Sequence, residues 1–383
     1  MEKKKIIKSI FAILLILLLL SARVFAAEAE DKASVPEAYS SLAGELEGEM
    51  GDFLPDGISS SDIDVVGEAV SKMTSAEYVF SFLKYTVGVG LDDAVSLLVS
   101  LCGILVLSAV FSAFKGSFGT GGMSKAVSIC SSAALIGCVI SVQAEHFFAI
   151  GDFFDRISLI MNGMIPTIGV IYAMGGNVTT ASVSSSTLYI FLSFCEEICR
   201  TSVIGVCAIC TAFSLCSSLS GGMRFGGLSS VVKKSYTFIL GLIMTVLLAV
   251  LSMQTLLTSS ADSVSARAAK LVASNVIPIV GSSVGDTLRT LASSVGYIKN
   301  VCGIGGIAFI LILVLPIIVR LLLIRWVFVL AVAIAELIGC DSESKLLSEL
   351  GSVYGVLIAV VSMCSVMFVL AITIFLRSSI AVG

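Results

Sequence analysis

The chain has 383 residues, of which 57% are hydrophobic and 13% charged, with a mean hydropathy of +1.07 and a formal net charge of −4. A soluble domain carries about 25% charged residues, so this composition excludes a soluble enzyme and indicates a polytopic membrane protein. Charge is unevenly spread: residues 28–93 hold 15 acids and 3 bases, whereas residues 94–383 hold 11 acids and 15 bases. The acidic and the membrane parts are therefore physically distinct.

Met1-Glu2-Lys3-Lys4-Lys5 followed by the apolar run Ile10 to Leu20 has the form of a bacterial signal sequence. Val24-Phe25-Ala26 places small and aliphatic residues where a signal peptidase reads, predicting a signal peptide over 1–26 with cleavage near Ala26; a retained signal anchor is the alternative. Either way residues 27–93 form an acidic extracytoplasmic segment. Within it, Glu37 to Met50 is acidic and interrupted by glycine, and reads as a solvated loose helix or a flexible arm. Val66, Val70 and Met73, followed by Phe80, recur at helical spacing with capping residues at Ser61 to Asp64. None of the eleven cysteines falls in this segment. A disulfide framework would place them there, so Cys102, Cys130, Cys302, Cys364 and the others in apolar runs read as packing residues.

Apolar segments follow at 94–114, 126–148, 186–219, 235–258, 300–324 and 352–376, each near the roughly 20 residues that cross a bilayer. The fold class predicted is an all-α membrane helix bundle with 6–7 spans. The apolar piece 326–339 is short, and reads as a tilted helix, a half-helix or the continuation of its neighbour. Lys115 and Lys125, and then Arg224, Lys233 and Lys234, mark two cytoplasmic loops. The same rule brings the fifth span back to the cytoplasmic side at Arg320 and Arg325.

The membrane part carries an internal duplication: Ile165-Pro166-x-x-Gly169 matches Ile277-Pro278-x-x-Gly281, and Gly121-Gly122-Met123-Ser124 matches Gly226-Gly227-Leu228-Ser229. Because both lead-ins are cytoplasmic, the repeats are expected to be parallel. The divisions predicted are a first span and loop at 94–119, repeat 1 at 120–224, repeat 2 at 225–325 and C-terminal membrane segments at 326–383. Each repeat should carry an external amphipathic module broken at its proline and glycine. The apolar stripes are Ile150, Phe153, Ile157, Ile160 and Met164 in the first, and Val284, Leu288, Leu291, Val295 and Ile298 in the second.

Residues that carry chemistry are few. Gly281-Ser282-Ser283-Val284-Gly285 fits Gly-x-Ser-x-Gly, and His146 is the single histidine, but no strand precedes the motif as a hydrolase elbow requires. Cys207 and Cys210, with Cys195, Cys199 and Cys216 nearby, lack the second ligand pair of a usual zinc site and read as packing. Glu196, Glu197 and Arg200 interrupt the third span, and intramembrane charges usually pair or line a polar interior. Glu196 to Arg200 and Glu197 to Arg200 stand at i, i+4 and i, i+3, spacings that suit a local ion pair, and a polar path or a contact to another subunit are the alternatives. Glu336 has Arg320 and Arg325 as candidate partners. Gly351 and Gly355 permit close helix contact, within the chain or between chains. No catalytic, metal or cofactor-binding residue is expected; the structural candidates are Pro166, Gly169, Pro278, Gly281, Glu196, Glu197 and Arg200.

In its signal sequence, acidic segment and duplicated core the chain resembles the stage III sporulation protein AE family of endospore-forming bacteria. The residues that carry the resemblance are Asn162-Gly163-Met164-Ile165-Pro166-Thr167-Ile168-Gly169 with Gly176-Asn177-Val178, and Asn275-Val276-Ile277-Pro278-Ile279-Val280-Gly281. The resemblance covers most of the chain and rests on order and length. It implies a non-enzymatic membrane subunit of a channel complex linking mother cell and forespore, placed in the mother-cell membrane with its N-terminal segment outside the cytoplasm. Implied partners are membrane lipid, a cytoplasmic secretion-type ATPase and ring-forming intermembrane proteins, with no nucleic acid. A small-solute permease built on the parallel repeats is the alternative, and an intramembrane protease using Ser282 or Ser283 with His146 a third reading.

Overall fold

The computed structural model describes residues 34–114, 121–176, 178–219, 226–276 and 281–377. These form α1 (Glu37–Met50), a 3-10 turn (Gly51–Phe53), α2 (Ile63–Thr74), α3 (Ala76–Phe114), α4 (Gly121–Met174), α5 (Val178–Leu219), α6 (Gly226–Val276), α7 (Gly281–Ile338) and α8 (Asp341–Arg377). The fold is all-α. The six helices α3 to α8 are each long and apolar enough to cross a membrane, as the sequence predicts. The expected signal sequence at 1–26, Lys115, Arg224 and Pro278 lie outside the described residues.

Both Gly-Gly lead-ins open a long helix, α4 at Gly121 and α6 at Gly226. Two tight turns are legible in the chain chemistry. At Gly339 (φ +81°) the Gly339 amide donates to Glu336 O at 3.2 Å and the Cys340 amide to Ala335 O at 2.8 Å, a helix-ending pattern that the left-handed conformation of glycine permits. Gly176 (φ +76°) ends α4 in a related way, its amide donating to Ala173 O at 3.1 Å. The hairpins that follow pack residues equidistant from the turn: Met161 against Ser193 and Gly169 against Ser185 in α4 and α5, Phe328 against Gly351 and Arg325 against Gly355 in α7 and α8. Gly351 and Gly355 thus serve contacts within the chain. A Cβ at Gly351 would lie 3.1 Å from Phe328 Cβ, and one at Gly355 3.3 Å from the Arg325 guanidinium. Small residues let helices approach closely where lipid supplies no hydrophobic drive.

The α7/α8 hairpin is the centre of the bundle, and α6 is peripheral, with Phe238, Leu242, Val246 and Met253 exposed along its outer face. The two predicted repeats differ among the described residues. In the first, α4 and α5 pack along each other; in the second, α6 packs on α5 and α8, while α7 packs on α3, α4 and α8.

Four expectations are corrected. First, Pro166 does not break its module, because α4 runs unbroken from Gly121 to Met174 through it. Pro166 lies on an exposed face, where the carbonyl four residues earlier loses its donor without a buried polar group resulting, and Thr167 Oγ1 donates to Gly163 O at 2.8 Å in the same turn. The corresponding expectation at Pro278 falls on 277–280, outside the described residues. Second, the piece 326–339 is the continuation of α7, which carries its apolar run to Ile338. Third, Arg320, expected at the end of a crossing, lies within the continuous helix α7 and pairs with Asp93 of α3 and Glu145 of α4. Fourth, residues 37–50 are not a solvated arm. They form a regular helix whose Tyr39, Leu42, Ala43 and Leu46 are buried.

That fourth point shapes the molecule. At about 1.5 Å per residue, α4 is about 81 Å long and α7 about 87 Å, far beyond a hydrocarbon core of about 30 Å. The acidic segment folds down on the halves of these helices remote from the 339–340 turn. Tyr39 stacks on Phe309 of α7 with ring centroids 5.8 Å apart; Leu42 packs against Gly163 of α4; Gly67 of α2 faces Tyr297 and Val301 of α7. Asp62 caps α2 by accepting from the Asp64 amide at 3.0 Å, and Val66, Val70 and Met73 are buried as their spacing predicts. Each such buried side chain contributes about 1.5–3 kcal/mol.

Candidate functional site

Beneath the acidic segment, where the end of α1 and its 3-10 turn meet α3, α4 and α7, lies a cavity of about 330 Å³. Phe53 and Phe82 wall one side, Asp152 and Arg156 the α4 side, Pro316 and Arg320 the α7 side. The 3-10 turn is held in place by aromatic contacts: Phe53 meets Phe82 edge-on at 5.4 Å and Tyr85 at 5.4 Å, and the Tyr78 hydroxyl donates to Phe53 O. Pro316 removes an amide from inside α7, so the Ile312 carbonyl loses its usual helical donor. Both residues line the cavity.

Arg320 forms the floor. Its Nη2 lies 2.6 Å from Glu145 Oε1 and 3.1 Å from Asp93 Oδ2, joining α7 to α4 and α3. Next to it sits His146, buried, with Nδ1 2.6 Å from Val142 O and 3.4 Å from the Tyr354 hydroxyl. A carbonyl only accepts, so Nδ1 carries the proton, and Nε2 finds no partner among the described residues. Tyr354 packs on His146 at 5.6 Å and on Phe328 at 5.3 Å. The bundle on the turn side of Arg320 is thus filled by aromatic rings.

The sequence-predicted residues are scattered. Glu196 lies 3.9 Å from Arg200, but the shorter partner of Arg200 is Asp155 of α4, at 2.6 Å. Glu197 is exposed and accepts instead from Thr201 Oγ1 at 2.8 Å. Asp155 was findable: it and Arg200 stand about equally far from the Gly175-Gly176 turn. Glu336 accepts from Ser344 at 3.3 Å, not from Arg320 or Arg325. Gly169 permits close approach of α5, since a Cβ there would lie 2.6 Å from Ser185 Oγ. Gly281 opens α7. Ser282 stands 38 residues before Arg320 on that one helix, about 57 Å along its axis, so it does not meet His146, which neighbours the Arg320 partner Glu145. The hydrolase reading loses its base.

The arrangement is that of a multi-pass, all-helical membrane protein in which ionic and aromatic contacts join helices around a cavity. A family model described as Stage III sporulation protein AE matches residues 65–379, and the chain belongs to that family. It is similar to the Stage III sporulation protein AE of Bacillus subtilis (strain 168), 22% identical over 283 residues that cover 73% of this chain and 71% of that protein. No solved structure matches the chain. Helix α1 and its buried face precede the matched residues.

Proposed function

We propose that the chain is a non-enzymatic integral membrane subunit of a sporulation-specific secretion or feeding-channel complex between mother cell and forespore, supporting forespore development. The observation that carries this reading is the docked acidic segment. With the projecting halves of α4 and α7 it makes a broad, preformed face on the side of the membrane to which the signal sequence directs it, suited to ring-forming intermembrane proteins. The basic loops around 115–125 and 224–234 would face the cytoplasm and a secretion-type ATPase.

The permease reading draws support from the cavity, but discontinuous helices meeting at a midplane site are its usual form. Continuity of α4 through Pro166 argues against that form, as do the rings of His146, Tyr354 and Phe328 beyond the Arg320 floor. Photo-cross-linking in sporulating cells, from probes at exposed positions of the acidic segment and of the basic loops, tests the choice. Adducts to other subunits of the complex are expected. No adducts, together with solute uptake by the purified chain in vesicles, would overturn the assembly reading.

A further inference from the structure

Four sulphur atoms from three helices converge in the bundle. Cys195 and Cys199 are one turn apart on α5, Cys364 comes from α8, and the three Sγ atoms all lie within 4.8 Å of one another. Met244 of α6 adds its Sδ at 3.2 Å from Cys195 Sγ. All three cysteines have 0% exposure and Met244 has 5%. Among the described residues no other group of three ligating side chains comes this close.

We propose that Cys195, Cys199, Cys364 and Met244 form a binding site for one soft monovalent metal ion, Cu(I). The donor set is thiol and thioether sulphur without oxygen or imidazole, which selects soft ions over hard divalent ones. With metal–sulphur bonds near 2.3 Å, as in zinc thiolate sites, ligand sulphurs stand about 4 Å apart, so the three cysteine sulphurs need only a small contraction while Met244 Sδ, 3.2 Å from Cys195 Sγ, must swing slightly outward. A thiol binds a metal as its thiolate, so the cysteines that ligate Cu(I) release their protons to the medium, while Met244 donates as a neutral thioether. The bound ion would tie α5, α6 and α8 together on the flank of the central hairpin. This departs from the packing role that the sequence assigns to these cysteines, because Cys364, 165 residues from Cys199, joins the pair only through the fold.

The test uses the full chain purified in detergent under reducing conditions, with Cu(I) offered as its bicinchoninate complex. The wild-type chain should withdraw one equivalent, and copper K-edge absorption should show a first shell of sulphur alone. Cys364→Ser and Cys199→Ser should lose this capture, and Cys302→Ser, a buried cysteine outside the cluster, should keep it. Failure of the folded wild-type chain to take up Cu(I) overturns the proposal. So does a shell containing nitrogen or oxygen, capture unchanged in Cys364→Ser, or preferential uptake of Zn(II) when both ions are offered. The absorption measurement on the wild-type chain decides the matter even if a serine variant does not fold.

Discussion

Gly305 of α7 is the tightest point at which α1 meets the bundle. A Cβ built there overlaps the Tyr39 hydroxyl and would lie 3.1 Å from Tyr39 Cζ and 3.2 Å from Val70 Cγ2. The Tyr39 side chain cannot swing aside, because it is fully buried and stacked on Phe309, so Gly305→Ala must push α1 away from α7. Overpacking of this kind costs about 1–3 kcal/mol. Tyr39→Phe deletes the oxygen that is struck, and that hydroxyl has no hydrogen-bond partner among the described residues. Alone, Tyr39→Phe should therefore be neutral or mildly stabilising. In the double variant the added methyl meets only contacts of 3.1 and 3.2 Å, relieved by shifts of a few tenths of an ångström, so the coupling between the two sites should be about 1–2 kcal/mol. The assay is tryptic cleavage at the exposed Lys72 of α2 in the purified chain, whose rate follows local opening when reclosing is fast. Gly305→Ala should cleave about five- to 150-fold faster, tenfold per 1.4 kcal/mol, and Gly305→Ala with Tyr39→Phe should return close to wild type. A neutral Gly305→Ala, or no rescue by Tyr39→Phe, would refute the docking of α1 on α7.

Arg320→Met should lower the thermal midpoint in detergent, because it leaves Asp93 and Glu145 facing each other without their cation. Adding Asp93→Asn and Glu145→Gln should recover most of the loss, whereas a purely steric role of Arg320 would leave the triple variant as unstable as the single one. Pro166→Ala should raise the midpoint by an amount worth up to about 3 kcal/mol, the intrinsic preference for alanine inside a helix; a marked fall would mean that a break at Pro166 is built into the fold. Lys233, nearly buried, holds Glu349 at 2.7 Å and also donates to Ser352. Lys233→Met should destabilise by about 3 kcal/mol, as breaking a buried pair does, with recovery in Lys233→Met, Glu349→Met, both read by thermal unfolding.

Where the sequence is informative, one local signal dominates a whole element. Six crossings follow from apolar length, and α2 from the spacing of Val66, Val70 and Met73 and the Asp62 cap; Gly351 and Gly355 signal close helix contact, but that it lies within the chain emerges only from the hairpin at Gly339. Proline misleads at position 166 because the helix tolerates a missing amide on an exposed face, something that residue identity alone does not specify. The acidic character of 37–50 masks Tyr39, Leu42 and Leu46, whose spacing marks an apolar face only once α7 supplies Gly305 and Phe309 to receive it. Charge partners fail for a related reason. Arg200 has Glu196 and Glu197 within reach on its own helix, yet the fold offers Asp155 at shorter distance; Arg320 has no carboxylate nearby along α7 and meets Asp93 and Glu145 only through the fold, since a long guanidinium takes an acceptor across a helix interface.

The most direct test of the account is whether the acidic segment is held against α4 in intact membranes. The segment contains no native cysteine, so Leu42→Cys introduces a single thiol there, and Gly163→Cys supplies its mate. Leu42 Cβ lies 2.5 Å from a Cβ built at Gly163, so the helices need part by only about 1 Å to reach the Cβ separation of about 3.5–4.5 Å that a disulfide spans. Mild oxidation should link the two positions within one chain, mapped by mass spectrometry, and protect Leu42→Cys from maleimide. Rapid maleimide labelling of Leu42→Cys with no link to Gly163→Cys would contradict the docked segment and, with it, the preformed assembly face.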